Sequence, residues 1–360
     1  MLEQYGHGGD LQTAAALYGI PPGQFLDFSA NMNPLGPPAL IANLLQEHWR
    51  TIAHYPDPVS RRLREKLAQR YEIPVESILV GNGAAELIEL VVRWKQPDTT
   101  VLVRPCFSEY EQAIRKIGGA IYDIWLSDES DFDVSAEAVM QALHRADAAF
   151  LGHPNNPTGR LLPFELMQQL MELDDPNKTV ILDEAFIDFV ENERECTMLR
   201  HVAKTEGKFV IRSMTKFYAI PGLRLGFIVG HPDAIRRLRE LQTPWSVNSL
   251  AQIIGEAVLD DDHFARQTLQ WLKIERPWFQ QQLMQLGLRV FPGKVNYVLF
   301  QLPHERGITI RELQRQLGHK GILIRNASHF PGLDESYGRL AIKQRDDNVT
   351  LLQTLREIIG

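Results

Sequence analysis

Between about residues 78 and 229, short runs rich in β-branched residues alternate with helical stretches, and this alternation limits the possible folds more than any other feature. It is typical of a sheet of mostly parallel strands covered by helices. The predicted strands span residues 78–80, 100–104, 120–126, 148–153, 179–183, 208–212 and 224–229. The predicted helices span residues 84–95, 107–117, 135–145 and 163–173. We therefore expect an α/β chain built on one large sheet.

Long helical stretches follow Pro232 and continue to about residue 287, after which strands and helices alternate again. In this tail we predict strands at 288–291, 295–301, 321–326 and 338–343, and helices at 309–319 and 346–359. The chain is thereby divided into three parts. Residues 1–45 form an extended segment and a first helix that belong to a small domain, 46–255 form the large domain, and 256–360 form the small C-terminal α+β domain.

The overall charge and the cysteine content limit the classes of ligand. The net charge of −7 provides no general attraction for nucleic acid or anionic lipid, so an anionic ligand must be held by local groups. The two cysteines, Cys106 and Cys196, belong to no cluster with metal-ligand spacing, and we predict no metal site. Their number favours a reducing cytoplasm. The sequence begins without a signal-peptide pattern and has no apolar run near the ~20 residues that span a bilayer.

Two predicted strands are followed by loops suited to binding a ligand. Ile78-Leu-Val-Gly-Asn-Gly-Ala-Ala-Glu86 leads through small residues into a helix, where backbone N–H groups favour a phosphate. A tight turn without a ligand is the alternative. His153-Pro-Asn-Asn-Pro-Thr-Gly159 places two amide side chains at a strand end, where open α/β sheets bind ligands. An ordinary Asn-Pro turn explains that segment equally well.

Two further motifs carry charged groups. Asp183 and the glutamate after it close an apolar strand, where a carboxylate can hold a protonated nitrogen; a helix-capping role is the alternative. Lys216 lies in Ser213-Met-Thr-Lys-Phe-Tyr-Ala-Ile-Pro-Gly-Leu-Arg224 among apolar residues. Desolvation lowers the pKa of such a lysine and makes its amine nucleophilic toward an aldehyde. Ser213 and Arg224 are near enough in sequence to meet on one phosphate.

In this order, the four motifs resemble those of the fold-type-I enzymes that use pyridoxal 5'-phosphate, the aminotransferase-like fold, over nearly the whole chain. The resemblance implies a large, mostly parallel α/β/α sheet domain that binds the cofactor and a small α+β domain. It implies that Lys216 forms the Schiff base, Asp183 pairs with the pyridine nitrogen and Asn156 binds the ring hydroxyl. The cofactor phosphate would be held by Gly83, Ala84, Ala85, Ser213 and Arg224.

The same resemblance implies aromatic contacts and a partner. Phe107 would stack on the cofactor ring, and Tyr110 would lie near it. Tyr55 would reach the cofactor phosphate of a neighbouring subunit, which predicts a homodimer. Many relatives have a tyrosine where this chain has Phe186, so the resemblance does not identify a second donor to the ring hydroxyl.

The sequence around the predicted substrate-binding residues narrows the resemblance to one group of enzymes within the family. Arg325 and Arg339 each lie in a predicted strand, and an arginine fork suits a carboxylate or a phosphate; an outward-facing Arg325 is the alternative. Gly6-His-Gly-Gly9 and Pro244-Trp-Ser-Val-Asn248 are similar to segments of the threonine-phosphate decarboxylases within this family. The likeness implies decarboxylation of L-threonine O-3-phosphate to (R)-1-aminopropan-2-yl phosphate in cobalamin biosynthesis. The predicted substrate-binding residues are His7, Gly8, Asn33, Asn156, Arg325 and Arg339. Histidinol-phosphate aminotransferase is the alternative function.

Overall fold

The computed structural model describes residue 2, residues 8–175 and residues 177–360. Its helices are α1 (Leu11–Tyr18), α2 (Leu40–His48), α3 (Arg61–Tyr71), α4 (Ala84–Lys95), α5 (Ser108–Lys116), α6 (Ala136–Arg145), α7 (Phe164–Glu172), α8 (Glu193–Cys196), α9 (Leu199–Val202), α10 (Pro232–Leu241), α11 (Ser249–Val258), α12 (Asp262–Gln285), α13 (Ile310–His319) and α14 (Arg345–Ile359). Its strands are β1 (Leu26–Asp27), β2 (Ile78–Gly81), β3 (Thr99–Arg104), β4 (Ala120–Trp125), β5 (Ala148–Gly152), β6 (Thr179–Asp183), β7 (Lys208–Ser213), β8 (Gly226–Gly230), β9 (Arg289–Val290), β10 (Tyr297–Gln301), β11 (Ile322–Leu323), β12 (Arg325–Asn326) and β13 (Tyr337–Ala341).

The large sheet has seven strands in the order β2-β8-β7-β6-β5-β3-β4. The strands from β7 to β4 run parallel, whereas β8 is antiparallel to both of its neighbours. β5, β6, β7 and β8 are buried along their whole length, because helices cover both faces of a sheet of this kind. The predicted mostly parallel α/β sheet is confirmed.

Adjacent parallel strands bring their carboxyl ends to one edge of this sheet. Gly152 at the end of β5 pairs with Asp183 at the end of β6, and Asp183 pairs in turn with Ile211 near the end of β7. The loops after these strands therefore begin side by side. Gly81 at the end of β2 and Ser213 at the end of β7 both pair with Gly226, so all four motifs of the sequence start at this edge.

The C-terminal part contains an antiparallel sheet in the order β12-β13-β10-β9. The prediction of one strand over residues 321–326 was wrong, because the segment divides at Ile324 between two sheets. β11 pairs in parallel with β1, joining Leu26 to Ile322, while β12 pairs with β13. The N-terminal segment is thus attached to the C-terminal part of the chain. The division at residues 45 and 255 stays a prediction.

Within the described part of the chain, no helix is both long and apolar enough to cross a membrane.

Candidate active site

A cavity of about 430 Å³ lies at the carboxyl edge of the large sheet and is closed on its other side by the C-terminal strands. Twelve of the residues predicted for the site line it: Gly8, Ala84, Ala85, Phe107, Asn156, Asp183, Phe186, Ser213, Lys216, Arg224, Arg325 and Arg339. The structure therefore brings together residues that are separated by more than 300 positions in the chain.

Lys216 lies three residues beyond the end of β7, with its amine inside the cavity. The Nζ atom donates a hydrogen bond to Oγ of Ser213 at 3.1 Å and lies 5.5 Å from the centre of the Phe186 ring. Burial lowers the pKa of Lys216 to about 8, and the charges of Arg224 and Arg339 act in the same direction against the opposing effect of Asp183. A substantial fraction of this amine is therefore neutral, and nucleophilic, close to neutral pH.

Asp183 ends β6 and is buried beside the same cavity. Its Oδ2 accepts a hydrogen bond from the Tyr110 hydroxyl at 2.7 Å, and its Oδ1 accepts from the backbone N–H of Ala185 at 2.9 Å. Burial raises the pKa of Asp183, whereas the Tyr110 hydrogen bond and the charge of Lys216 lower it. The alternative of a helix N-cap is wrong, because the short 3₁₀ helix that follows, Ile187–Phe189, has Phe186 at its N-cap and no side-chain cap; the bond from Ala185 is a local turn, and Asp183 lines the cavity.

An anion cradle is formed where α4 begins. Gly83 has a φ of +83°, and a Cβ on it would lie 2.7 Å from Nη2 of Arg224, so a larger residue there would displace this guanidinium. No side chain caps α4, so its first N–H groups at Ala84 and Ala85 remain available to an anion. Ser213 and Arg224 complete the cradle from the lysine loop. Gly83 itself supports Arg224 and does not line the cavity.

The two asparagines after β5 have different roles. Asn155 makes the turn, since its Nδ2 donates to the Pro105 carbonyl and to Oγ1 of Thr158. Asn156 faces the cavity, and its Oδ1 accepts a hydrogen bond from Nη1 of Arg339 at 2.5 Å. Asn155 therefore fits the turn interpretation, whereas the ligand-binding role of Asn156 stays a prediction.

Arg325 and Arg339 are directly opposite each other on the antiparallel strands β12 and β13. Both are buried, with exposed fractions of 5% and 6%. Burial and the neighbouring charge of Arg325 lower the pKa of Arg339. Like charges opposite each other destabilise a sheet, so this arrangement favours a ligand with negative groups. The alternative of an outward-facing Arg325 is excluded by its burial.

The aromatic residues predicted for the site lie around the lysine. Phe107 lines the cavity and contacts Tyr110 edge to face, with the ring centres 5.7 Å apart. Phe186 is buried between Lys216 and the ring of Tyr297, which it meets edge to face at 5.0 Å. Neither contact tests the predicted stacking on a cofactor.

Two predicted site residues lie elsewhere, and a third is outside the described residues. The Asn33 side chain is buried away from the cavity and donates to the Phe217 carbonyl and to Oγ1 of Thr268, both at 2.8 Å. These contacts do not support its predicted role in binding substrate; its backbone N–H instead donates to the Lys216 carbonyl. Tyr55 is 81% exposed and packs on Trp245, and so does not reach this chain's own cavity. His7 falls outside the described residues.

Three groups that contribute to the site, one backbone carbonyl and two aromatic side chains, were not predicted from the sequence. The Ser29 carbonyl accepts from Nη2 of Arg339 at 2.9 Å, and Tyr297 lies beneath the same guanidinium, 5.4 Å from ring centre to Cζ. Phe330 lines the cavity beside Arg325. A backbone carbonyl has no sequence signal, and aromatic residues near strands are more often core. The predicted site residue nearest to Ser29 in this part of the sequence was Asn33, which lies away from the cavity.

With this geometry established, the chain can be compared with known proteins. The family model described as aminotransferase class I and II matches residues 23–355. The threonine-phosphate decarboxylase of Salmonella typhimurium is 41% identical over 98% of this chain and 96% of its own length.

Two solved structures superpose closely. The histidinol-phosphate aminotransferase of Clostridium acetobutylicum has a TM-score of 0.86 at 31% identity, covering 92% of this chain and 98% of that one. The L-threonine-O-3-phosphate decarboxylase of Porphyromonas gingivalis has a TM-score of 0.81 at 28% identity, again over 92% and 98%. By the extent of the family match, by sequence identity and by the order of its strands, the chain belongs to the class I and II aminotransferase family.

Proposed function

We propose that this protein is a pyridoxal-phosphate-dependent decarboxylase that converts L-threonine O-3-phosphate to (R)-1-aminopropan-2-yl phosphate and carbon dioxide in cobalamin biosynthesis. The single observation that carries the substrate assignment is the opposed pair of buried arginines, Arg325 and Arg339, in one cavity with Lys216. The 41% identity to a threonine-phosphate decarboxylase supports the reaction type.

The residues present fit pyridoxal phosphate. The uncapped start of α4 with Ser213 and Arg224 would hold its phosphate, and the buried carboxylate of Asp183 would hold a protonated pyridine nitrogen. Asn156 uses Oδ1 to accept from Arg339, so its Nδ2 can donate to the ring hydroxyl. Phe186 provides no second donor at that position. When bound, the cofactor accepts the electron pair left by a bond broken at the substrate α-carbon.

Lys216 is the group that binds the aldehyde and moves protons. Its lowered pKa of about 8 lets Nζ alternate between neutral amine and ammonium near physiological pH. The neutral form can attack the aldehyde, and the charged form can return a proton to the α-carbon after carbon dioxide leaves. Ser213 Oγ, at 3.1 Å, helps to position the amine for both roles.

The two arginines would each bind a different anionic group of the substrate. Arg339 would bind the α-carboxylate, because Asn156 and the Ser29 carbonyl hold its guanidinium in one orientation and its buried Nε has no hydrogen-bond partner among the described residues. Arg325, beside Phe330, would bind the substrate phosphate. Two anchored ends would fix the orientation of the α-carbon in the cavity, and this orientation would select the bond that is broken.

The carboxylate loses its charge as carbon dioxide forms, so strong pairing in the ground state would slow the step. Arg339 already donates to two protein oxygens, so only part of its fork is left for the substrate. This arrangement orients the carboxylate with limited ground-state stabilisation.

The reaction is tested by incubating the cofactor-loaded protein with L-threonine phosphate and no keto acid. We expect release of carbon dioxide and of the amino alcohol phosphate. Transamination of histidinol phosphate with 2-oxoglutarate, without gas, would instead establish the aminotransferase function. A parallel assay with L-serine phosphate measures the contribution of the substrate methyl group, worth about 1–3 kcal/mol in an apolar pocket.

We further propose a cytoplasmic homodimer in which Tyr55 contacts the neighbouring site. An exposed apolar face formed by Trp49, Ile52, Tyr55 and Trp245, with 53%, 70%, 81% and 48% exposure, supports a protein contact here. The two free thiols, Cys106 and Cys196, suit a reducing compartment. Sedimentation of Ile52→Asp should show a monomer, whereas Ile274→Asp, at another exposed position, should sediment like the wild type. A monomeric wild type would contradict the proposal.

A further inference from the structure

A second cavity of about 430 Å³ lies away from the active site, between α12 and the chain segments 160–161 and 292–294. Its lining contains the cationic residues Arg160, Lys273, Arg276 and Lys294 and no carboxylate. We call it the basic cleft. In a chain with a net charge of −7, four cations around one cavity form a local positive field.

One wall of the basic cleft is a single face of α12. Lys273, Arg276 and Gln280 are spaced three and four residues apart, which places them on the same side of the helix. Pro277, between them, gives this wall an apolar patch next to the charges. The helix therefore offers two cations and one amide to the same space.

The opposite wall is held by backbone hydrogen bonds. The Lys294 N–H donates to the Gly159 carbonyl at 2.9 Å, and the Asn155 N–H donates to the Arg160 carbonyl at 2.8 Å. Nη1 of Arg276 crosses the cleft and donates to the Lys294 carbonyl at 2.7 Å. The backbone that carries Arg160 and Lys294 is thus set before any ligand arrives, which lowers the entropic cost of binding.

The existing counter-ions are weak competitors. Lys273 pairs with Glu191, but both side chains are about two-thirds exposed, and Arg160 pairs with the exposed Asp133. Exposed ion pairs contribute little and exchange readily. Lys294 has no ion-pair partner among the described residues. An anion with two charges would gain contacts here without breaking a buried pair.

We propose that the basic cleft binds the dianionic phosphate group of a small molecule, at a site distinct from the active-site cavity. Lys273, Arg276 and Lys294 supply charge and hydrogen bonds to the phosphate oxygens, as such groups do in other phosphate sites. Leu161, Pro277 and Pro292 form an apolar rim that suits a short organic group attached to the phosphate. Free phosphate and phosphomonoesters share this chemistry.

The test measures binding of inorganic phosphate to the cofactor-loaded protein by titration calorimetry. The wild type should show two independent classes of site. Lys273→Gln combined with Lys294→Gln changes two exposed side chains and should weaken one class by roughly tenfold or more. Arg325→Gln should weaken only the other class. Lys204→Gln combined with Lys320→Gln, the same change of charge at exposed positions elsewhere, should leave both intact.

Two results would overturn the proposal: binding in the Lys273/Lys294 variant that equals the wild type, or one class of site that disappears with Arg325→Gln. A second titration, in the Arg325→Gln background, compares inorganic phosphate with (R)-1-aminopropan-2-yl phosphate. Equal affinities assign the cleft to the phosphate group alone. Tighter binding of the ester assigns it to a phosphomonoester that uses the apolar rim.

Discussion

The two sides of the active-site cavity are built on opposite electrostatic principles. On the lysine side, Lys216 and Asp183 are opposite charges at the ends of neighbouring strands. On the arginine side, Arg325 and Arg339 are like charges opposite each other on paired strands. The first side is balanced without a substrate. On the second side, the charge of Arg325 acts against that of Arg339, and a ligand with two anionic groups would offset this effect, so we propose that substrate choice is made on the arginine side.

The largest effect is expected on the lysine side. Lys216→Ala removes the amine that we propose binds the aldehyde and moves protons, so kcat should fall by at least ~10⁴-fold. The absorption band of the linked cofactor should also disappear. Persistence of that band would show that another group forms the link.

On the arginine side we expect a selective loss. Arg325→Gln should reduce kcat/KM for L-threonine phosphate by roughly 30- to 160-fold, or about 2–3 kcal/mol, because the substrate phosphate loses its charged partner. Binding of unphosphorylated L-threonine should change little. Arg315→Gln, an exposed arginine on α13, is the matched control. Equal losses for both substrates would remove the proposed division of roles between the arginines.

The electrostatic coupling between Lys216 and Asp183 can be measured from the pH dependence of cofactor capture. In the cofactor-free protein, capture of pyridoxal phosphate requires a neutral Lys216, so its rate should rise about tenfold per pH unit at low pH and level off above a midpoint near 8. The negative charge of Asp183 raises the pKa of Lys216, so Asp183→Asn should move the midpoint to lower pH. An unchanged midpoint would mean that the two groups are not coupled.

A smaller effect is expected from the hydroxyl that supports Asp183. Tyr110→Phe keeps the ring stacked on Phe150 at 4.1 Å but removes the hydrogen bond that lowers the pKa of Asp183. The acid limb of the kcat/KM profile should move to higher pH by up to about one unit, the equivalent of one hydrogen bond of ~0.5–1.5 kcal/mol. Tyr297→Phe removes a buried hydroxyl that donates to the Asn155 carbonyl, and should leave that limb in place.

The smallest effect is on stability. Without substrate, Arg325→Gln relieves the repulsion with Arg339 and should raise the free energy of unfolding by about 0.2–1 kcal/mol. Denaturant titration of the cofactor-loaded protein measures it. A destabilised variant would show that other contacts of Arg325 outweigh the repulsion. The electrostatic contrast between the two sides of the cavity would then be smaller than their charges indicate.

Sequence alone was sufficient for the large sheet and for the lysine side. The predicted strand 179–183 matches β6 at both ends, and the predicted helix 84–95 matches α4. α4 has apolar residues at helical spacing and β6 is a continuous buried apolar run, so each was predictable from its local sequence. The motifs follow strand ends directly, and parallel strands bring their ends to one edge. The cavity on the lysine side was therefore predictable, although the roles of its residues stay predictions until they are tested.

Only the tertiary structure showed how the residues of the arginine side are arranged. It divided residues 321–326 between two sheets, placed Arg325 opposite Arg339 and brought the Ser29 carbonyl, 310 positions away, to the same guanidinium. It also placed the Asn33 side chain away from the cavity and joined Tyr110 to Asp183 by a hydrogen bond. Cross-strand register and long-range polar contacts depend on how distant segments pack. The periodicity of a single segment does not specify which distant segment packs against it. For this reason the sequence determined the fold and the position of Lys216, whereas tertiary packing determined the arrangement of the arginine side.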